Sequence, residues 1–163
     1  MSYNTKQFKE FISLVLSDLQ EDTGDVIVNT EEAQDLLFMT AAHESHLGTY
    51  LKQVKGPACG AFQMEPLTHE DHWNYITARK WLYNAMAAMN LEINTEASEM
   101  TSNLKYAVVM ARIHYYRKPE ALPKKAGNPR YLEELGEYAK KHYNTVLGKA
   151  TAKEYLDDYI KYN

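Results

Sequence analysis

The chain has 163 residues, with 18 Lys and Arg against 22 Asp and Glu, and so a formal net charge of −4. Its 45% hydrophobic and 25% charged residues, with 7 Gly and 5 Pro, exclude a disordered or collagen-like chain, and Cys59 as the single cysteine excludes an internal disulfide framework. The mild acidity argues against a non-specific nucleic-acid binder, and the length suits one domain burying about two-thirds of its unfolded surface.

In chain order the sequence predicts an all-α fold. Phe8, Phe11, Ile12, Val15, Leu16 and Leu19 recur at helical spacing, and Gly24 lies just past them as a stop. The apolar run from Phe11 to Leu16 is broken by Ser13 and flanked by Glu10 and Asp18. It is too short to span a membrane and too charged for a secretory signal, so the expectation is synthesis in the cytoplasm without membrane insertion. A second helix is predicted from Asn29 as N-cap, with Glu32 three residues on as a capping box. It runs through Ala33, Leu36, Leu37, Thr40, Ala41 and Glu44 to a stop at Gly48.

From Tyr50 to Pro66 the periodicity fails, and Gly56, Pro57 and Gly60 predict an irregular loop or small hairpin. Helix resumes after Thr68 and runs on through Trp73, Ile76, Trp81 and Met89; another spans Asn103 to Tyr116 and stops before Pro119. Asn128 opens the next with Pro129 at the first helical position, and Thr151 with Glu154 forms a capping box for a short further helix. With no repeat, linker or low-complexity tract, residues 1–163 are expected to form a single domain. Tyrosine is over-used at 13 residues, which suits either a sugar groove or the rim of a helical core.

Glu44 is the position that points to chemistry. It follows Leu37, Thr40 and Ala41 by seven, four and three residues, so it shares their buried helix face and falls on the last turn. Desolvation there, with the negative end of the helix dipole, raises a carboxyl pKa towards neutrality, as a general acid acting on a glycosidic oxygen requires. The plainer alternative is a carboxylate that reaches solvent or a partner at the helix end. Other chemistries are poorly supported. His43 and His46 are three apart rather than four, with no further ligand cluster for zinc. There is no Gly-x-Ser-x-Gly elbow, and Cys59 beside Gly60 suits a small packed residue better than a nucleophile.

Glu44-Ser45 at a helix end, followed across a loop by Gly60-Ala61-Phe62-Gln63-Met64, resembles the lysozyme-like soluble lytic transglycosylases and the related goose-type lysozymes. Those families carry Glu-Ser and then a Gly-x-x-Gln element. Their third element, a Tyr-Asn pair, is matched by Tyr143-Asn144 with Gly148-Lys149-Ala150 behind it, and the helix from Asn103 through Tyr115 and Tyr116 is more loosely similar. The resemblance covers about residues 30–160. Ala61 departs from the family's usual Leu or Ile, and His142 from its frequent Ala. The run Phe62-Gln63-Met64-Glu65-Pro66, with Thr68-His69, is similar to bacteriophage members more than to periplasmic ones. Delivery by a virion or a lysis system is what that resemblance implies.

The resemblance implies a lysozyme-like domain that binds peptidoglycan glycan strands and needs no metal or cofactor, with other virion or phage lysis proteins as further partners. Glu44 would protonate the bond between N-acetylmuramic acid and N-acetylglucosamine and then, as base, assist the muramoyl 6-hydroxyl, leaving a 1,6-anhydro end. Ser45 and Gln63 would hold N-acetyl groups or orient Glu44. Tyr143 would hydrogen-bond near Glu44 with Asn144 beside it, and Phe62 and Met64 after Gly60 would form an apolar wall. A hydrolytic lysozyme stays open as an alternative, with Glu65, Glu70 or Asp71 as the second carboxylate that activates water. So does a non-catalytic wall-binding virion protein.

Overall fold

The computed structural model describes residues 2–144 and 149–163. Gly148 of the third motif element therefore lies outside the described residues. Among these residues the chain is all-helical, and its only β-type pairing is two isolated bridges, Lys52 with Cys59 and Cys59 with Met64. No helix among them is long and apolar enough to cross a membrane.

Helix α1 spans Thr5–Thr23. The Asn4 side chain accepts from the Gln7 backbone N–H at its start, and Gly24 closes it in the left-handed conformation at φ 70°. Its apolar stripe, Phe8, Ile12, Val15, Leu16 and Leu19, is buried as the spacing predicts. A 3-10 turn at Val26–Val28 follows, which sequence reasoning misses. The buried Arg112 holds it, donating from Nε to Val28 O at 2.7 Å and from Nη2 to Ile27 O at 2.8 Å.

Helix α2 (Glu31–Ser45) is the central element, packed by α1 and by α6 (Leu104–Tyr116), α7 (Tyr131–His142) and α8 (Ala152–Tyr162). Every residue from Leu36 to Ala42 is buried. Both of its ends differ from expectation. Thr30, not Asn29, is the N-cap, its hydroxyl accepting from Ala33 N at 3.1 Å, while Asn29 accepts from the Gln34 amide instead. The helix stops at Ser45 rather than running to Gly48. His46 and Leu47 both take φ 51°, and their backbone N–H groups both reach Ala41 O, from Leu47 at 3.1 Å, to close the end. Burial of Leu47 fixes this early stop.

The single helix expected from Thr68 to Met89 is two, α3 (Pro66–Thr77) and α4 (Lys80–Ala88). Neither Gly nor Pro marks the break. Thr77 Oγ1 donates back to Trp73 O, and Arg79 donates to Tyr75 O while its guanidinium lies 3.5 Å over the Tyr75 ring. The turn lets α4 lay Leu82, Ala85 and Met86 inward against α1. A four-residue helix, α5 (Glu99–Ser102), precedes α6, whose N-cap is Asn103.

Pro129 does not begin α7. Asn128 accepts from Arg130 N to make a turn, and the helix starts at Tyr131. The capping box of α8 forms as predicted, with Thr151 and Glu154 each accepting from the other's backbone N–H. Six of the 13 tyrosines go into the core, where Tyr106, Tyr115, Tyr131, Tyr138, Tyr155 and Tyr159 are buried with their hydroxyls hydrogen-bonded.

Candidate functional site

Glu44 ends the buried face of α2 where the chain turns out towards the hairpin. Its Oε1 accepts a 2.6 Å hydrogen bond from the Tyr155 hydroxyl of α8. Burial pushes the carboxyl above the ordinary carboxylate range, and the Tyr155 bond and the adjacent His43 pull it partly back. Burial first, and the Glu44 carboxyl in addition, raise the phenols of Tyr115, Tyr143 and Tyr155 well above their usual range. Glu44 therefore sits among three phenols that keep their protons. One is spoken for elsewhere: Thr40 donates to Leu36 O, so Tyr115 donates its proton to Thr40 Oγ1 at 2.8 Å.

The hairpin opposite is closed by the reciprocal pair Cys59 N to Met64 O (2.9 Å) and Met64 N to Cys59 O (3.0 Å) around a turn at Gly60–Gln63. Gly60 takes φ +76°, and a Cβ there would lie 2.6 Å from Met100 O, so the turn and its fit against α5 need glycine. Two side chains tie the hairpin to the helices. Ser45 Oγ donates to Ala61 O at 2.5 Å and accepts from Gly48 N at 2.8 Å; Tyr143 OH donates to Phe62 O at 2.7 Å.

These contacts revise several expected roles. Tyr143, which lines the Glu44 cleft, bonds the hairpin, and Tyr155 is the residue that bonds the Glu44 carboxyl. Ser45 is fully buried and bonded to backbone, so it fixes the hairpin and does not face a ligand. Phe62 and Met64, 1% and 2% exposed, belong to the core, not to a wall against sugars. Gln63, at φ 45°, spends both amide protons on Tyr50 O (3.0 Å) and Gly60 O (2.8 Å), which leaves its carbonyl oxygen for the cleft.

A cleft of about 380 Å³ gathers Glu44, Gln63, Met64, Glu65, Tyr143 and Asn144 with Gln53, Ala58, Thr68 and His114. A second cavity of about 380 Å³, lined also by Tyr50, Val54 and Lys55, shares Glu44, Gln53 and Gln63 with the first. Glu44 thus lines both. Of the three candidate second carboxylates only Glu65 lines the Glu44 cleft. Glu70 borders a different cavity beside Cys59 and Trp73, and Asp71 is paired with Arg117 at 2.7 Å.

Sequence reasoning missed Gln53, Thr68, His114 and Tyr155. Tyr155 carried a usable signal, since it stands at the first turn of a capped helix, but nothing in the sequence pairs that helix with α2. His43 bonds Asp158 at 2.9 Å, and His46 lies 5.9 Å from the rings of both Tyr50 and Tyr162. No group of three His, Cys, Asp or Glu among the described residues could hold a metal. Compared with protein-family models, curated proteins and solved structures, the chain finds no match.

The Tyr155 hydrogen bond stabilises the ionised carboxyl, so removing it raises the Glu44 pKa further. In Tyr155→Phe the alkaline limb of any Glu44-dependent activity should move to higher pH, with a rate loss of ~10–100-fold from lost orientation. A pH–rate profile checks the direction; a limb moving to lower pH would contradict the assignment.

Proposed function

We propose that the protein cleaves peptidoglycan glycan strands at the bond between N-acetylmuramic acid and N-acetylglucosamine, with Glu44 as acid and then base. The observation that carries this reading is a carboxyl whose pKa burial raises, on a residue that lines two cavities, with one oxygen already held by Tyr155. The resemblance of Glu44-Ser45, Gly60–Gln63 and Tyr143-Asn144 to lytic transglycosylases supplies the substrate class.

Since Tyr155 donates to Oε1, the acid proton of Glu44 belongs on Oε2. That proton passes to the glycosidic oxygen as its bond to C1 breaks, and the glucosaminyl 4-hydroxyl leaves with it. The carboxylate then takes the proton of the muramoyl 6-hydroxyl as that oxygen bonds to C1, which closes the 1,6-anhydro ring and restores the acid. The nucleophile belongs to the substrate, so no second carboxylate is required. The free carbonyl oxygen of Gln63 suits a sugar N-acetyl N–H. Tyr143 and Asn144 form the wall beside it.

The second reading, a lysozyme that activates water, is favoured by one observation: the exposed Glu65 lines the same cleft. Digestion of purified peptidoglycan followed by mass spectrometry of the muropeptides separates the two. Anhydro ends, lighter by one water, are expected from the wild type, and Glu65→Gln should keep most of its activity. Reducing ends, with Glu65→Gln as inactive as a Glu44 variant, would make the enzyme a hydrolase.

A further inference from the structure

A third cavity of about 390 Å³ adjoins the Glu44 cleft, with Thr68 and His114 lining both. Its other walls are Leu67, Asp71, His72, Arg117 and Lys118. We propose that this cavity is a subsite for the carboxylate-bearing peptide that substitutes the muramoyl residue of the glycan in the Glu44 cleft. The inference rests on the peptidoglycan reading and adds which part of the substrate this end of the groove takes.

The first argument is charge. Arg117 and Lys118 against Asp71 leave one positive charge uncompensated, in a chain whose net charge is −4. Arg117 Nη1 is engaged by Asp71 Oδ2 at 2.7 Å and by His72 Nδ1 at 3.1 Å. Its Nε and Nη2 make no hydrogen bond among the described residues, and Lys118 makes no salt bridge among them. Half-buried and beside Arg117, the Lys118 ammonium is held below its ordinary pKa, the condition of a cation that gains from an arriving anion. One carboxylate matches one unbalanced charge, and the guanidinium edge with the ammonium gives it charge-assisted donors.

The second argument is independent of charge. His72 and His114, 2% and 9% exposed, stack at 5.2 Å between ring centroids, and each has a ring nitrogen with no partner. Their tautomers follow from their bonds. Arg117 can only donate, so His72 Nδ1 accepts and the proton of the neutral ring is on Nε2. His142 O can only accept, so His114 Nε2 donates at 2.6 Å and its Nδ1 is a bare lone pair. Burial holds both rings neutral, His72 pushed down to about 2 and His114 to about 4. The unmatched nitrogens are therefore one donor and one acceptor. Buried polar groups are normally paired, and this unpaired donor and acceptor stand on two residues that wall the cavity.

The test measures equilibrium binding to the full chain of three probes: a disaccharide-peptide, the same disaccharide stripped of peptide, and the free acidic peptide. The wild type should bind the peptide-bearing disaccharide about tenfold or more tightly than the stripped one. In Lys118→Met that ratio should fall to about one with the stripped disaccharide bound as before, and Lys118→Glu should lose the free peptide. Equal binding of the two disaccharides by the wild type, a ratio unchanged in Lys118→Met, or no binding of any probe overturns the subsite. Glycan cleavage by the wild type decides the Glu44 reading separately, so the two can fail independently.

Discussion

Glu44→Gln is expected to lose ~10²–10⁴-fold in glycan-cleaving activity while keeping its fold, because Gln matches the carboxyl in size but cannot transfer a proton. Stability gives a second signature. Burial raises the folded-state pKa of Glu44, so the stability tied to its protonated form is fully present below the unfolded carboxyl value of ~4.3 and is lost as pH rises through the folded value. Gln stays neutral throughout. The melting temperature of Glu44→Gln, followed by circular dichroism from about pH 3 to pH 8, should therefore gain on the wild type as pH rises. A folded variant that still clears peptidoglycan at the wild-type rate would remove Glu44 from the mechanism.

Gly60→Ala should be the most damaging small substitution in the hairpin. It places a Cβ 2.6 Å from the Met100 carbonyl oxygen in a residue at φ +76°. Strain at a left-handed position costs of order 1–3 kcal/mol before the clash is counted, or a melting point lower by about 2–4 °C per kcal/mol in a chain of this size. Relief requires the turn to lift off α5, which carries Gln63 and Met64 away from Glu44, so activity should fall with stability. Gly24→Ala is the control. Gly24 takes φ +70° with nothing within 4 Å of its added Cβ, and it should cost only the backbone strain. Equal melting points for the two variants would show that the Met100 contact exerts no pressure on the turn.

The helices were legible in the sequence where one face is apolar and a cap is written locally. Helix α1, with Gly24 behind it, is such a case, and so is α8 with Thr151 and Glu154. Boundaries set by distant contacts were not legible. The break at Ala78–Arg79 has no Gly or Pro and exists because α4 turns onto α1; the turn at Val26–Val28 exists because Arg112, 84 residues on from Val28, takes its carbonyl. At the site, spacing alone placed Glu44 at the buried end of α2, since helix periodicity carries that information. Which tyrosine reaches it was beyond local pattern. Tyr143 and Tyr155 both stand near, and only the docking of α8 on α2 decides that Tyr155 makes the bond.

That docking has a consequence for when the acid works. Helix α8 packs on both α7 and α2, buries Tyr155 and Tyr159, and has its Asp158 bonded to His43 of α2. The burial that raises the Glu44 pKa is in part the cover that α8 supplies, so unseating α8 would admit water and lower the carboxyl towards its ordinary range, although the opposing Tyr155 bond is lost with it. The acid strength of Glu44 thus belongs to the seating of α8 as much as to the helix that bears the residue.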